Sequence, residues 1–483
     1  PRPRGSGRPR IRNGKRHGGP AYFGWAPCGR SNPYRVPNAR PELGPLAHLA
    51  TRDFEWPAAD AASVERSFAV HDAITRRAAS TIIEKPQVGI NRVLAAHQDS
   101  VRVKYRAPQI QNLSEKTWYA LLRECNPKSS TGLGNFSRYA TIADALGWDG
   151  MRFNNRANCE ALRFAVETRV AHLISAGPRQ CWCGSCPSCP VDIKMMIKME
   201  PHKADKIKND RLRLISVISL EDPMVDRVLF GHMIRRENQD PLGSPGKSGW
   251  SPLPEGFLDL EMAFDGPVLA TDCTAFDWTF PPWLVKWLLT NRLDKMRGVT
   301  PEYKAAAEAR WREVLGTDCV VRLPSGQRLR QTQYGLMKSG WLLTISVNSE
   351  AQDILTRLAF QRASEYSHLQ FPKLWSMGDD VLMGWFSGLS SAPLERELSR
   401  LGILTKMATP DRDFAGFNFP EHNVVQPLYP DKHKFMLAHV REEDLEEIVT
   451  NYSYLYALAR GEEWLRSIED EYSARTRRSV RAW

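Results

Sequence analysis

The side chains in this sequence with the most chemical potential are two acidic pairs and a run of bases. At Leu374-Trp375-Ser376-Met377-Gly378-Asp379-Asp380-Val381-Leu382-Met383-Gly384-Trp385, apolar residues flank a Gly-Asp-Asp tip. That pattern writes a strand, a tight turn relaxed by glycine, and a second strand. Adjacent carboxylates at a turn repel each other, and a hard divalent cation such as Mg²⁺ prefers their oxygens, so the turn reads as a metal site. The plainer alternative is a solvated acidic loop. Upstream, Val268-Leu269-Ala270-Thr271-Asp272-Cys273-Thr274-Ala275-Phe276-Asp277-Trp278 runs a buried-strand pattern into Asp272, with Asp277 five residues on. An acid at the C-terminal end of a core strand sits where the strand opens into a crevice, and catalytic groups gather there.

Cations precede these acids. Lys194 to Arg213 holds seven bases and three acids and leads into the apolar, β-branched run Leu214-Ile215-Ser216-Val217-Ile218. Such a segment presents Lys198, Lys208, Arg211 and Arg213 to a polyphosphate while its strand anchors in the core. A solvated basic face is the alternative. Lys338 to Asn348 begins with a Ser339-Gly340 bend and continues at helical spacing, which puts Thr344 and Asn348 on one helix face. Leu401 to Lys406 ends an apolar run with a lysine, and Phe414 to Phe419 alternates like a short strand. In Pro127 to Gly134, the small residues Ser130, Thr131 and Gly132 make a loop that a nucleic-acid backbone can approach closely, or an ordinary interhelical loop. Cys181, Cys183, Cys186 and Cys189 crowd four thiols together, and Zn²⁺ binds thiolates tetrahedrally. Zinc modules, however, separate their cysteine pairs by about a dozen residues or more, so free thiols in a turn-rich loop stay open.

The elements that must position these groups are read from the remaining pattern. The chain has 483 residues, 42% hydrophobic and 25% charged, as in a soluble globular protein. Its net charge is +11, but ten bases and no acid precede Glu42, so the body is close to neutral. A nucleic-acid groove there would rest on local clusters rather than a global field. Residues 1–50, rich in Arg, Gly and Pro, read as a disordered basic arm. Helical spacing runs through Val64–Ala79, Asn158–Ala176 and Trp283–Met296, and further helices are expected after Glu442. No apolar run nears the roughly 18 residues of a membrane span, and no signal-peptide core opens the sequence, so the expectation is a cytosolic protein without a transmembrane segment. Nine cysteines, several of them isolated, fit reduced thiols.

In chain order, Lys198 and Arg213, then Asp272-x4-Asp277, then Ser339-Gly340-x3-Thr344-x3-Asn348, then Gly378-Asp379-Asp380 resemble motifs F, A, B and C of viral RNA-directed RNA polymerases. The surrounding text, Lys198-x-Glu-Pro-His, Arg211-Leu-Arg-Leu-Ile, Ser219-Leu220-Glu221-Asp222 and Arg227-Val228-Leu229-Phe230, is most similar to the sobemovirus and polerovirus branch. The resemblance covers about Pro127 to Phe419, and more faintly Phe54-Glu55-Trp56-Pro57. The Cys181 to Cys189 cluster and the arginine-rich arm lie outside the pattern.

The resemblance implies an α+β right-hand fold of fingers, palm and thumb, the palm built on an antiparallel sheet. After the arm, residues 51–262 would form an N-terminal extension and fingers, 263–285 palm, 286–334 an insertion, 335–419 palm, and 420–483 thumb and basic tail. It implies that Asp272 and Asp379, assisted by Asp380, hold two Mg²⁺ or Mn²⁺ ions. Lys198, Arg213 and Arg211 would grip the triphosphate. Asp277 and Asn348, with Ser339 or Thr344, would read the ribose 2′-hydroxyl. Lys406, at the motif D position, would give a proton to pyrophosphate. Ser130, Thr131, Gly132 and Gly340 would border the RNA path, and Phe414 to Phe419 would support the priming strand. Expected partners are a single-stranded viral RNA template and product, NTPs, a genome-linked protein primer, and host membranes reached through other replication proteins at cytoplasmic replication sites. A reverse transcriptase shares the palm, but the Asp277 and Asn348 pair counts against it. A non-enzymatic RNA-binding or capsid protein would account for the arm and for none of the ordered acids.

Overall fold

A computed structural model describes residues 23–82, 89–175, 190–244, 246–366 and 368–477. The cysteine cluster and the first part of the basic arm fall outside them. The architecture is α+β, as the motif order implies, and its centre is a four-stranded antiparallel sheet in the order β11 (Thr405–Thr409), β6 (Val268–Cys273), β10 (Asp380–Gly384), β9 (Leu374–Met377).

Why these strands form is written in their burial. Along β10, Val381 and Met383 point into the main core, while Leu382 joins a second core with Trp250, Phe257, Leu260, Phe264, Trp375, Phe414 and Phe419. A strand covered on both faces needs an unbroken apolar run, which explains the lack of polar alternation here. The helix Thr344–Arg362, buried from Ser346 to Phe360, covers one face. β9 and β10 are joined at Gly378 and Asp379, with Asp380 opposite Met377. Gly378 has φ +66°, the left-handed conformation such a turn requires.

A five-stranded sheet stands beside it, in the order β1 (Trp25–Arg30), β8 (Gln327–Gln331), β7 (Val320–Arg322), β3 (Ile193–Ile197), β5 (Leu214–Val217). Here the expected disordered arm is corrected: from Phe23 onward the chain is folded. Phe23 and Trp25 are apolar enough to be buried, and β1 pairs with β8. Further along, Leu46 enters a small core with Leu437, Leu445, Val449, Ile468 and Tyr472 of the C-terminal helices. The short pair β2 (Phe54–Glu55) and β4 (His202–Lys203) follows, and Phe54 and Trp56 pack on Phe435 of the helix Pro430–Leu437.

The run expected as one strand over Phe414 to Phe419 is a hairpin instead: β12 (Asp413–Phe414) and β13 (Phe417–Asn418) turn at Ala415 and Gly416, both at positive φ, and β14 (Gln426–Pro427) completes the sheet. No helix among the described residues is long and apolar enough to cross a membrane, and the five described cysteines form no disulfide.

Candidate active site

The acids converge at one end of the central sheet. Asp272 lies in β6, next to β10, and Asp379 and Asp380 stand at the β9–β10 turn. Asp379 opens to solvent yet is crowded by the cleft walls; that desolvation, with the Asp272 charge, raises its pKa. Asp380 is half-buried, and burial followed by repulsion from Asp379 and Asp272 pushes its pKa up to about 7. Like charges gathered this closely are what a divalent cation relieves. Among the described residues no three His, Cys, Asp or Glu side chains form a ready-made cage. This donor set suits an ion shared between one or two carboxylates and a substrate's phosphates, as Mg²⁺ commonly is.

Lys406 reaches the same acids through an irregularity. On β11, Thr405 faces Cys273 and Met407 faces Asp272, so Lys406 is the extra residue of a β-bulge. The bulge re-aims it, and its Nζ donates to Asp272 Oδ2. Burial alone would lower the lysine's pKa, but that hydrogen bond and the Asp272 charge raise it overall.

Asp277 begins a short helix after β6, and its Oδ1 accepts from Asn348 Nδ2 at 2.7 Å. Burial pushes the Asp277 pKa up to about 6, against the pull of that hydrogen bond. Asn348 Oδ1 is buried and has no partner among the described residues, which leaves an acceptor for a ligand hydroxyl. The hydroxyls of Ser339 and Thr344 are otherwise engaged. Ser339 Oγ accepts from Ser216 N at 3.2 Å, and Thr344 Oγ1 donates to Lys338 O at 2.6 Å. They hold the bend, and Gly340 is forced there: a Cβ at this position would stand 2.1 Å from Ser216 O.

The basic run is organised by one carboxylate. Glu200 takes Arg213 at 3.0 Å, Lys198 at 3.3 Å and Lys432 at 3.6 Å. His202 Nδ1 donates to Glu200 O at 2.7 Å and its Nε2 accepts from Arg213 N at 3.0 Å, so the imidazole is neutral and ties both ends of the segment. The Arg213 charge acts on both Asp277 and Asp379. Arg211 instead pairs with Asp205 at 2.8 Å. In the Ser130–Gly132 loop, Thr131 is buried and donates to Tyr139 O at 2.7 Å, Ser130 Oγ accepts from Gly132 N at 3.2 Å, and a Cβ on Gly132 would stand 2.6 Å from Ser219 Cα. The loop is docked on the start of the helix Glu221–Gln239.

Two residues went unnoticed in the sequence. Ser349 and Gln352 lie on the Asn348 helix and bond the main chain of the acidic turn. Their only signal was nearness to Asn348, Ser349 as its neighbour and Gln352 one turn on, which any helix offers.

Comparison with known proteins agrees with this geometry. Residues 292–419 match the family described as viral RNA-directed RNA-polymerase, a span that includes Ser339 to Asn348 and Gly378 to Asp380. The chain is similar to the viral RNA-directed RNA polymerases of the sobemovirus and polerovirus kind. It is 30% identical over 298 residues to Protein P1-P2 of Pea enation mosaic virus-1, covering 58% of this chain and 24% of that protein. It is 30% identical over 235 residues to the RNA-directed RNA polymerase of Mushroom bacilliform virus, covering 47% of this chain and 54% of that one. The chain thus spans about a quarter to a half of these relatives. In fold it is similar to the Sicinivirus 3Dpol RNA-dependent RNA polymerase, with a TM-score of 0.66, 16% identity and coverage of 92% and 94% of the two chains. The likeness shows that the two chains share an α+β fold.

Proposed function

We propose that this chain is the catalytic subunit of a viral RNA replicase and copies single-stranded RNA from NTPs. The observation that carries the reading is the convergence of Asp272 and Asp379 from neighbouring palm strands beside the Asn348–Asp277 pair. In the reaction, a 3′-hydroxyl attacks the α-phosphate of an NTP in line, the new phosphodiester forms, and the bond to pyrophosphate breaks. Two divalent ions, Mg²⁺ or Mn²⁺, supply the lowered pKa of the attacking hydroxyl and neutralise charge on the leaving group. Asp272 and Asp379 would hold them and Asp380 would assist, in keeping with the crowding of these carboxylates.

Arg213 and Lys198 bind the triphosphate as it displaces Glu200, with Arg211 further out. Asp277 and Asn348 hold the ribose, and the spare Asn348 oxygen accepts from its 2′-hydroxyl. A site built to bond a hydroxyl rejects the sugar that lacks it. Lys406 gives a proton to pyrophosphate as it departs. Ser130, Thr131, Gly132 and Gly340 line the RNA path mainly through main-chain atoms. A genome-linked protein primer, membrane recruitment through other replication proteins and a site of action in the host cytoplasm complete the reading, each by analogy with the family.

The test is incorporation of labelled ribonucleotides on single-stranded RNA with Mg²⁺ or Mn²⁺, using the intact protein, Asp272→Ala and Asp379→Ala. Template-dependent product that vanishes in both variants, with RNA binding retained, is the expected result. Folded protein that binds RNA but makes no product, with or without primers and partner proteins, would overturn the reading in favour of an RNA-binding protein.

A further inference from the structure

The two central residues of the β9–β10 turn, Gly378 and Asp379, lie beyond the strand ladder, whose last pair is Asp380 with Met377. Their main-chain groups would face the cleft unpaired, but the helix Thr344–Arg362 takes one from each. Ser349 Oγ accepts from Gly378 N at 2.8 Å, and Gln352 Nε2 donates to Asp379 O at 3.3 Å. Both side chains are themselves tied down. Ser349 Oγ donates to Ile345 O at 2.7 Å, Ser349 O accepts from Ser376 Oγ at 2.8 Å, and Gln352 Nε2 also reaches Cys273 Sγ, next to Asp272, at 3.2 Å. Ser349 and Gln352 are buried, and a Cβ on Gly246 would stand 2.4 Å from Ser349 Cβ, so only glycine fits against the serine.

These bonds do more than pack a helix on a sheet. Apolar side chains would serve packing as well and would bring no polar groups that need partners. Here the polar atoms end on the turn that carries Asp379, and they leave from residues adjoining Asn348. One bond holds the peptide that follows the Asp379 Cα and the other the peptide that precedes Gly378, so the backbone from which the Asp379 side chain projects is fixed at both ends of the turn.

We propose that Ser349 and Gln352 are positioning residues that fix the direction of the Asp379 carboxylate toward a divalent cation. Through them the sugar-reading Asn348 and the metal-binding turn share one rigid helix. The inference rests on the polymerase reading.

The test measures Mn²⁺ binding to the full chain without nucleotide, alongside RNA affinity and thermal melting, for the intact protein, Ser349→Ala, Gln352→Met and Asp379→Ala. Loss of one hydrogen bond to the turn is expected to weaken Mn²⁺ binding about three- to tenfold in each positioning variant. RNA affinity should hold, and in turnover the metal concentration for half-maximal rate should rise with little change in KM for NTP. Two variants acting on different bonds guard against one of them failing to fold. Folded variants that bind Mn²⁺ as tightly as the intact protein, where Asp379→Ala does not, would overturn this inference alone. An intact protein whose Mn²⁺ binding ignores Asp379→Ala would overturn the metal centre and this inference together.

Discussion

Asn348 donates through Nδ2 to Asp277 Oδ1 at 2.7 Å and keeps its own oxygen buried and unpaired among the described residues. The bond fixes which end of the amide faces the carboxylate and leaves the oxygen as the unused acceptor. A ribose 2′-hydroxyl has the donor that this acceptor lacks. Replacing Asp277 by Ala frees the amide to turn, and the preference for ribonucleotides over deoxyribonucleotides should fall by about tenfold or more. The ratio of kcat/KM for GTP and dGTP measures it; an unchanged ratio would place sugar reading elsewhere.

His97, in the helix Ile90–Ser100, donates from Nδ1 to Asp353 at 2.7 Å and meets Glu350 through Nε2 at 3.1 Å. Burial alone would discharge the ring, but the two carboxylates outweigh it and push its pKa up to about 9. The pKa is higher folded than unfolded, so the stabilisation is complete below the ordinary value near 6.5 and is lost as pH rises through about 9. Unfolding free energy should therefore drop by on the order of 3 kcal/mol between pH 6.5 and 10 from this group. Urea titrations across that range should show the slope, and His97→Gln should flatten it while lowering stability throughout.

Two glycines of the site should answer differently to alanine. Gly340 has Ser216 O 2.1 Å from where a Cβ would stand, an unyielding main-chain atom, while Gly378 has no atom within 4 Å and only its φ of +66° to object. Gly378→Ala should cost about 1–2 kcal/mol. Gly340→Ala should cost on the order of 3 kcal/mol or displace the bend and lose incorporation. Melting temperatures and product yield compared side by side decide this, and equal effects would contradict the packing described.

Lys406 owes its reach to a bulge, so charge alone will not replace it. Lys406→Met should lower kcat by roughly 10²-fold, the usual share of a general acid, with a smaller change in KM for NTP. Deleting Met407 to remove the bulge should do the same even with Lys406 retained. A kcat that survives either change would leave the lysine a mere counter-charge to Asp272.

How much of this was legible beforehand follows from the range of the forces involved. The acidic turn, the strand ending at Asp272 and the Ser-Gly bend before a helix are local patterns, and local patterns survive in sequence. The Lys406 bulge depends on the register between β11 and β6, fixed across 134 residues. The engagement of Ser339 by Ser216 and of Gly378 by Ser349 depends on tertiary approach and leaves no mark in spacing. Residues 23–50 carried the composition of a disordered arm; what folds them is the burial of Phe23, Trp25 and Leu46, single apolar residues whose partners lie far along the chain.

The strand Trp25–Arg30 has one more implication, for how the molecule is made. Thr332 N donates to Gly24 O across 308 residues, and among the described residues β1 pairs with β8 alone. On a ribosome, this strand must wait roughly 15 to 60 s for its neighbour to emerge. The acidic turn and then β11 come later still. A nascent chain therefore brings Asp272, Asp379 and Lys406 together only after β11 has been translated.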